Sequence, residues 1–100
     1  MNIVKERNND ILNVTLEGRL DTNTAPELEK SLNNAIEGIK TININFENLT
    51  YVSSAGLRVL LIFHKKMTEC KGALYILKPT DEVMEVFDIT GFSTFLNIKE

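Results

Sequence analysis

Between Thr41 and Lys71 the apolar residues of this 100-residue chain change their period once, and the change fixes where a strand must hand over to a helix. Thr41-Ile42-Asn43-Ile44-Asn45-Phe46 alternates polar and apolar with period two, the pattern of a strand packed on one side, whereas Leu57, Leu60, Leu61 and His64 recur at helical spacing. The intervening stretch, Leu49-Thr50-Tyr51-Val52-Ser53-Ser54-Ala55-Gly56-Leu57-Arg58, therefore carries the junction, with a serine pair at the predicted helix start. Short hydroxylated side chains there accept hydrogen bonds from backbone N–H groups that have no partner inside the helix. The same orphan N–H groups, together with the positive end of the helix dipole, also favour a phosphate. On residues alone the serine pair is a capping site, a switch site or both.

The rest of the chain alternates in the same way. Ile3 to Glu6 reads as a first strand, joined by the polar cluster Arg7-Asn8-Asn9-Asp10 to a second, Ile11 to Glu17, in which Leu12, Val14 and Leu16 share one face. Gly18 is expected to end that strand. Thr24 and Glu27 have the spacing of a capping box and Pro26 suits a first helical turn, so helix one is expected to start there. Its stripe runs through Leu28, Leu32, Ala35, Ile36 and Ile39, with Gly38 as the expected stop. The third strand is expected over Thr41 to Phe46 and helix two over about Ser54 to Lys71, ended by Gly72 and central in the fold because Val59 to Phe63 is uninterruptedly apolar. Ala73 to Leu77 reads as a short buried strand. Pro79 and Thr80 open helix three, whose apolar face is Val83, Met84 and Phe87, and Gly91 closes it before a last segment, Phe92 to Ile98, that is part turn and part edge strand. The order β-β-α-β-α-β-α-β, with right-handed crossovers, predicts a single α/β domain over residues 1–100 with a small mixed β-sheet of about four to five strands covered mainly on one face by helices.

Composition narrows the function classes. The chain is long enough to bury roughly 65% of its unfolded surface without disulfides or metal. With 11 basic against 14 acidic residues and a net charge of −3, no electrostatic footprint for nucleic acid is present. The longest apolar run, Val59 to Phe63, is far short of a membrane span, and Met1-Asn2-Ile3-Val4-Lys5-Glu6-Arg7 lacks the apolar core of a signal peptide, so a cytoplasmic location is expected. The lone Cys70 fits a reducing compartment. No cofactor or metal is expected, since one histidine and one cysteine supply no ligand set. Catalysis by Ser54 fails on geometry, because Val52 replaces the first glycine of a Gly-x-Ser-x-Gly elbow and His64 lies about 15 Å further along the same helix. A glycine-rich phosphate loop is absent as well. Asp21, within Gly18-Arg19-Leu20-Asp21, reads on residues alone as a turn or capping residue.

Three blocks together resemble STAS domains, specifically the anti-sigma factor antagonists of bacteria. They are Gly18-Arg19-Leu20-Asp21 before a threonine-rich helix start, Leu49-Thr50-Tyr51-Val52-Ser53-Ser54-Ala55-Gly56-Leu57, and Val86-Phe87-Asp88-Ile89-Thr90-Gly91-Phe92. Each block is weakly specific, but the three occur in the right order and spacing over essentially the whole chain. The resemblance implies a phosphorylation switch. The unphosphorylated antagonist binds an anti-sigma factor that is also a serine/threonine kinase, which frees a sigma factor; the kinase inactivates the antagonist by phosphorylating a serine at the start of helix two, and a phosphatase resets it. The family pattern Asp-Ser-(Ser/Ala)-Gly-Leu, anchored on Gly56 and Leu57, puts the phosphorylated serine on Ser54. The acidic position before it falls on Ser53, which leaves Ser53 as the alternative acceptor. The partner-binding surface implied is Asp21, Thr22, Asn23, Ser53, Ser54, Gly56 and Arg58. Some STAS domains instead sense small ligands or act as scaffolds without phosphorylation, and that is the alternative reading.

Overall fold

The period-two stretches form strands and the helical stripes form helices, and their alternation builds one sheet with helices on one side. The computed structural model describes residues 1–100, with β1 (Asn2–Asn8), β2 (Ile11–Leu20), α1 (Ala25–Asn33), β3 (Thr41–Val52), α2 (Ser54–Glu69), β4 (Ala73–Leu77), α3 (Asp81–Thr90), a 3-10 turn (Phe92–Thr94) and β5 (Asn97–Lys99). The five strands lie in chain order, β1-β2-β3-β4-β5, antiparallel between β1 and β2 and parallel from there on. Leu12, Val14 and Leu16 of β2, Ile42, Ile44 and Phe46 of β3, and Leu74 and Ile76 of β4 all point to one face. There they meet Leu28 and Leu32 of α1, Leu60 and Phe63 of α2, and Val83 and Phe87 of α3 in a single cluster of 23 buried residues. The opposite face is polar and carries no helix; on it Asn43 donates its side-chain amide to Asn13 at 3.0 Å. No helix is long and apolar enough to cross a membrane.

Several elements end elsewhere than the sequence pattern predicts. β2 does not stop at Gly18 but continues to Leu20, and β3 does not stop at Phe46 but runs twelve residues to Val52. Both extensions follow from two bulges. Thr15 pairs with Asn45 but Glu17 with Asn48, and Gly18 pairs with Leu49 but Arg19 with Tyr51, so β3 gains one residue at each step. The first bulge is bridged by the Glu47 N–H donating to Asn45 Oδ1 at 2.8 Å, the second by the Thr50 hydroxyl donating to the Gly18 carbonyl at 3.1 Å. Buried residues in this half of β3 consequently fall three apart, at Phe46, Leu49 and Val52.

Helix α1 ends about a turn before Gly38, at Asn33, because Asn33 and Asn34 are poor helix residues; past it the Ala35 N–H donates to the Leu32 carbonyl at 3.0 Å, a tightened 3-10-type closing turn. Ala35, Ile36 and Ile39 still pack on the core, but from turns. Helix α2 ends at Glu69 in a Schellman arrangement, with the Gly72 N–H donating to the Met67 carbonyl at 2.7 Å and the Lys71 N–H to Thr68 at 3.1 Å. The left-handed position of that cap is held by Lys71, at φ 63°, and not by glycine. Gly72 serves a different need. A Cβ on it would lie 2.1 Å from the Lys40 carbonyl oxygen, which is where β3 begins and where the Ala73 N–H donates at 2.9 Å.

Gly72→Ala should therefore destabilise the fold by about 1–3 kcal/mol in urea unfolding, since backbone must move to make room. Lys71→Gly, which relieves the left-handed lysine, should be neutral or stabilising. An unchanged stability of Gly72→Ala would show that the contact with Lys40 is not what requires a glycine here.

Candidate functional site

The first turn of α2 is fixed from three directions. Ser53, extended at φ −98° and ψ 175°, is the N-cap: its Oγ accepts from the Gly56 N–H at 3.4 Å and its carbonyl from the Leu57 N–H at 2.9 Å. Its own N–H donates to the Leu20 carbonyl at 2.8 Å, which ties the end of β3 to the end of β2. Gly56 is buried against the same residue: a Cβ there would lie 2.6 Å from Leu20 Cγ and 3.0 Å from Val52 Cγ2. Gly56 thus sits beneath the surface that the sequence resemblance assigned to it, and its contribution is to let the helix start lie directly on Leu20. Ser54 is the first residue of the helix; it is exposed, and its hydroxyl makes no hydrogen bond.

The loop after β2 is built around Asp21. The Asp21 Oδ1 accepts from the Asn23 N–H and from the Thr24 N–H, each at 3.0 Å, while the Thr24 hydroxyl accepts from the Asp21 N–H at 2.8 Å and donates to the Arg19 carbonyl at 2.7 Å. This reverses the expected capping. Thr24 makes no side-chain cap to α1 and no capping box with Glu27 forms, because its hydroxyl is already engaged by Asp21 and Arg19. The Thr24 N–H, followed by the Asn23 N–H and the nearby positive charge of Arg19, holds the Asp21 carboxyl below the usual aspartate value of 3.8 against a smaller opposing effect of desolvation. Thr22 and Asn23 project into solvent.

These two loops adjoin. Thr22 from the loop after β2, Ala25, Pro26 and Glu29 from α1, and Ala55, Arg58 and Val59 from α2 line a cleft of about 170 Å³. Arg58 is exposed, and neither it nor Glu29 makes an ion pair or side-chain hydrogen bond; the one ion pair in the chain is Lys78–Glu47, at 3.8 Å. Of the residues singled out in the sequence, Asp21, Thr22, Asn23, Ser53, Ser54 and Arg58 gather at this end of the sheet, and Gly56 lies under them. Several contacts around the site carried no sequence signal. Arg19 stacks over the Tyr51 ring at 4.2 Å from its centroid, on the helix-free face, and the two are adjacent only through strand register. Thr80, the N-cap of α3, donates to the Leu49 carbonyl at 3.1 Å and so holds the bulged end of β3 from the far side. His64 is half-buried, its ring 5.4 Å from that of Phe95. Cys70 is exposed at the opposite end of α2, where its thiol donates to the Met67 carbonyl.

A larger, open depression of about 490 Å³ lies at the other end of α1, against the β1–β2 hairpin. Its two cations are already bonded to backbone: Lys5 to the Ser31 carbonyl at 3.2 Å, and Arg7 to the carbonyls of Glu37 at 2.8 Å and Asn9 at 2.9 Å.

A profile of the STAS domain matches residues 2–100. An anti-sigma-B factor antagonist of Staphylococcus aureus is 32% identical over 101 residues, spanning 100% of this chain and 94% of the relative. A protein of the same name from Staphylococcus epidermidis has the same identity and coverage. The solved structure of the anti-sigma factor antagonist SpoIIAA in its unphosphorylated form superposes with a TM-score of 0.85 at 23% identity, covering 97% of this chain and 87% of that one. The phosphorylated form of SpoIIAA, from Bacillus, gives 0.77 at 22% identity with 97% and 90% coverage. An anti-sigma factor antagonist from Mycobacterium paratuberculosis gives 0.87 at 17% identity with 98% and 84% coverage. At these identities the structural likenesses speak to the fold alone.

The Asp21 turn makes its own pH prediction. A carboxylate whose pKa is depressed in the folded state contributes stability that is full above the unfolded value and is lost as pH falls through the folded one. The stability advantage of the unsubstituted chain over Asp21→Ala should therefore be constant from pH 7 down to about 5 and shrink only below about 3.8, in thermal melts at a series of pH values. A gap that closes already between pH 7 and 5 would show that the carboxylate is not held ionised by this turn.

Proposed function

The chain belongs to the STAS domain family, and on that premise we propose that it is a cytoplasmic anti-sigma factor antagonist, a binding switch and not an enzyme. In this reading the unphosphorylated chain docks on an anti-sigma factor that is a serine/threonine kinase and so releases a sigma factor. The docking surface is Asp21, Thr22 and Asn23 together with Ser53, Ser54 and Arg58. The kinase then phosphorylates the antagonist and a phosphatase resets it. The staphylococcal relatives bear the name of that activity.

The observation that carries the choice of acceptor is the unequal state of the two serine hydroxyls. Ser53 Oγ is occupied as the helix cap, whereas Ser54 Oγ is exposed and unbonded at the first position of α2. A kinase needs a hydroxyl that can turn to meet its nucleotide, and Ser54 offers one without dismantling the cap. The product also suits the place. A phosphoserine adds about −1.5 to −2 charges, and at a helix N-terminus that charge meets the positive end of the dipole, so the domain need not unfold. The energetic consequence falls on the partner instead. A surface packed over a neutral serine must repel or desolvate the phosphate, and a coupling of about 1–3 kcal/mol corresponds to an affinity loss of roughly 5- to 150-fold.

Incubation with ATP and the anti-sigma factor kinase encoded in the same genome, followed by mass spectrometry, should place one phosphate on Ser54. Ser54→Ala should abolish it. Ser53→Ala should retain labelling at Ser54 while losing about 1 kcal/mol of stability with the cap. Ser54→Asp should leave the melting temperature unchanged and weaken kinase binding about 5- to 150-fold. Phosphate found on Ser53, or undiminished affinity of the aspartate variant, would defeat this assignment.

A further inference from the structure

The cleft between the first turns of α1 and α2 has a floor and a rim of opposite chemistry. Its carbon lining comes from Ala25 and Val59, which are buried, from Ala55, half-buried beside them, and from Pro26 on the α1 side, with Thr22 as the one uncharged polar residue. Its rim carries Glu29 from α1 and Arg58 from α2, opposite charges that face one concavity yet make no ion pair. At about 170 Å³ the cleft is smaller than the 300–1,000 Å³ of a typical ligand pocket and suits a single side chain. A polar tip seated between Ala25, Ala55 and Val59 would face no side-chain partner from those three residues and be penalised for it, whereas an aliphatic one would be buried there without loss. The cleft is also continuous with the switch. Ser54 and Arg58 are four residues apart on α2, on one face and about 6 Å apart along the axis.

Building on the switch reading above, we infer that this cleft is the socket for an aliphatic anchor side chain of the anti-sigma factor kinase, and that Arg58 couples it to Ser54. In the unphosphorylated chain no ion pair or side-chain hydrogen bond holds the Arg58 guanidinium, and the residue forms one wall of the socket. A phosphate on Ser54 offers that guanidinium a charge-assisted hydrogen bond one turn away, a stronger partner than any it has. Arg58 then turns to the phosphate, the wall opens to water, and the anchor loses its contacts. Phosphorylation thereby acts twice, by the charge it adds at the surface and by the side chain it withdraws from the socket.

Calorimetric titration with the purified kinase from the same genome, in the presence of ADP, tests this with substitutions that plug the socket from either helix. Ala55→Leu and Glu29→Phe should each retain the circular dichroism spectrum and melting temperature and lose about tenfold or more in affinity, as expected when an anchor pocket is filled; the second variant preserves the test if the first does not fold. Arg58→Met keeps the stem and removes the charge. Whatever its affinity before phosphorylation, it should lose several-fold less of that affinity when Ser54 is phosphorylated than the unsubstituted chain loses of its own. Folded plug variants that bind normally, or an Arg58→Met chain whose response to phosphate is undiminished, would overturn the socket while leaving the switch intact. Plug variants that abolish self-association in sedimentation but not kinase binding would assign the cleft to a second copy of this chain and likewise overturn it. If the unsubstituted chain does not bind the kinase, the switch reading fails and the socket with it.

Discussion

The contact on which this fold's functional end depends is the seating of α2 on Leu20. Two residues of one helical turn produce it: the Ser53 N–H donates to the Leu20 carbonyl at 2.8 Å, and Gly56 lacks the Cβ that would otherwise lie 2.6 Å from the Leu20 side chain. One fixes the backbone and the other lets the helix approach. Leu20 is itself followed by Asp21, whose carboxylate closes the turn into α1, so the starts of both helices are positioned from one point at the end of β2. A residue with any side chain at position 56 would lift the first turn of α2 away from the α1 loop, and the cleft between them would change shape with it.

The bulged half of β3 serves the same end. Two extra residues let the strand keep Phe46, Leu49 and Val52 in the core while its edge runs on to Ser53. The bulges are held laterally, by Thr50 onto Gly18 of β2 on one side and by Thr80 at the head of α3 onto Leu49 on the other. Charge is distributed as unevenly as shape. Asp81, Glu82, Glu85 and Asp88 give α3 four negative charges and no positive one, so of the chain's net −3 the remainder carries +1. The α2 side, with Arg58, Lys65 and Lys66 exposed, accordingly presents a surface of different sign from the α3 side.

Most of the architecture was legible because periods of two and 3.6 are properties of local sequence. The order of elements, Ser53 as cap, Thr80 and Gly91 at the ends of α3, and the span of β4 all follow from neighbours along the chain. What escaped depended on neighbours across it. The spacing Phe46, Leu49, Val52 matches neither period, because β-bulges are answers to a partner strand that local pattern does not contain. Thr24 has every local qualification of a cap, yet the backbone N–H of Asp21, three residues before it, already donates to its hydroxyl. Gly72 looked like a helix stop, but its requirement comes from Lys40, thirty-two positions earlier in the chain. At the site the serine pair and Asp21 were visible as residue types at a junction. The apolar lining of the cleft was not, since Val59 read simply as part of an apolar run and Ala25 carried no signal.

The sheet's strands lie side by side in the order in which the chain supplies them. Each strand after the first therefore adds to an edge already in place, and no strand must be threaded between two others. Closing each crossover brings together segments only about twenty to thirty residues apart, a modest loop entropy for parallel pairing. During synthesis from the N-terminus, β1, β2 and β3 can assemble once β3 has emerged behind α1; the Asp21 loop belongs to that first half, and the start of α2 follows it directly. The short strand β5 arrives last and pairs over three residues, from Asn97 to Lys99, leaving the least cooperative part of the sheet at the edge farthest from the hairpin.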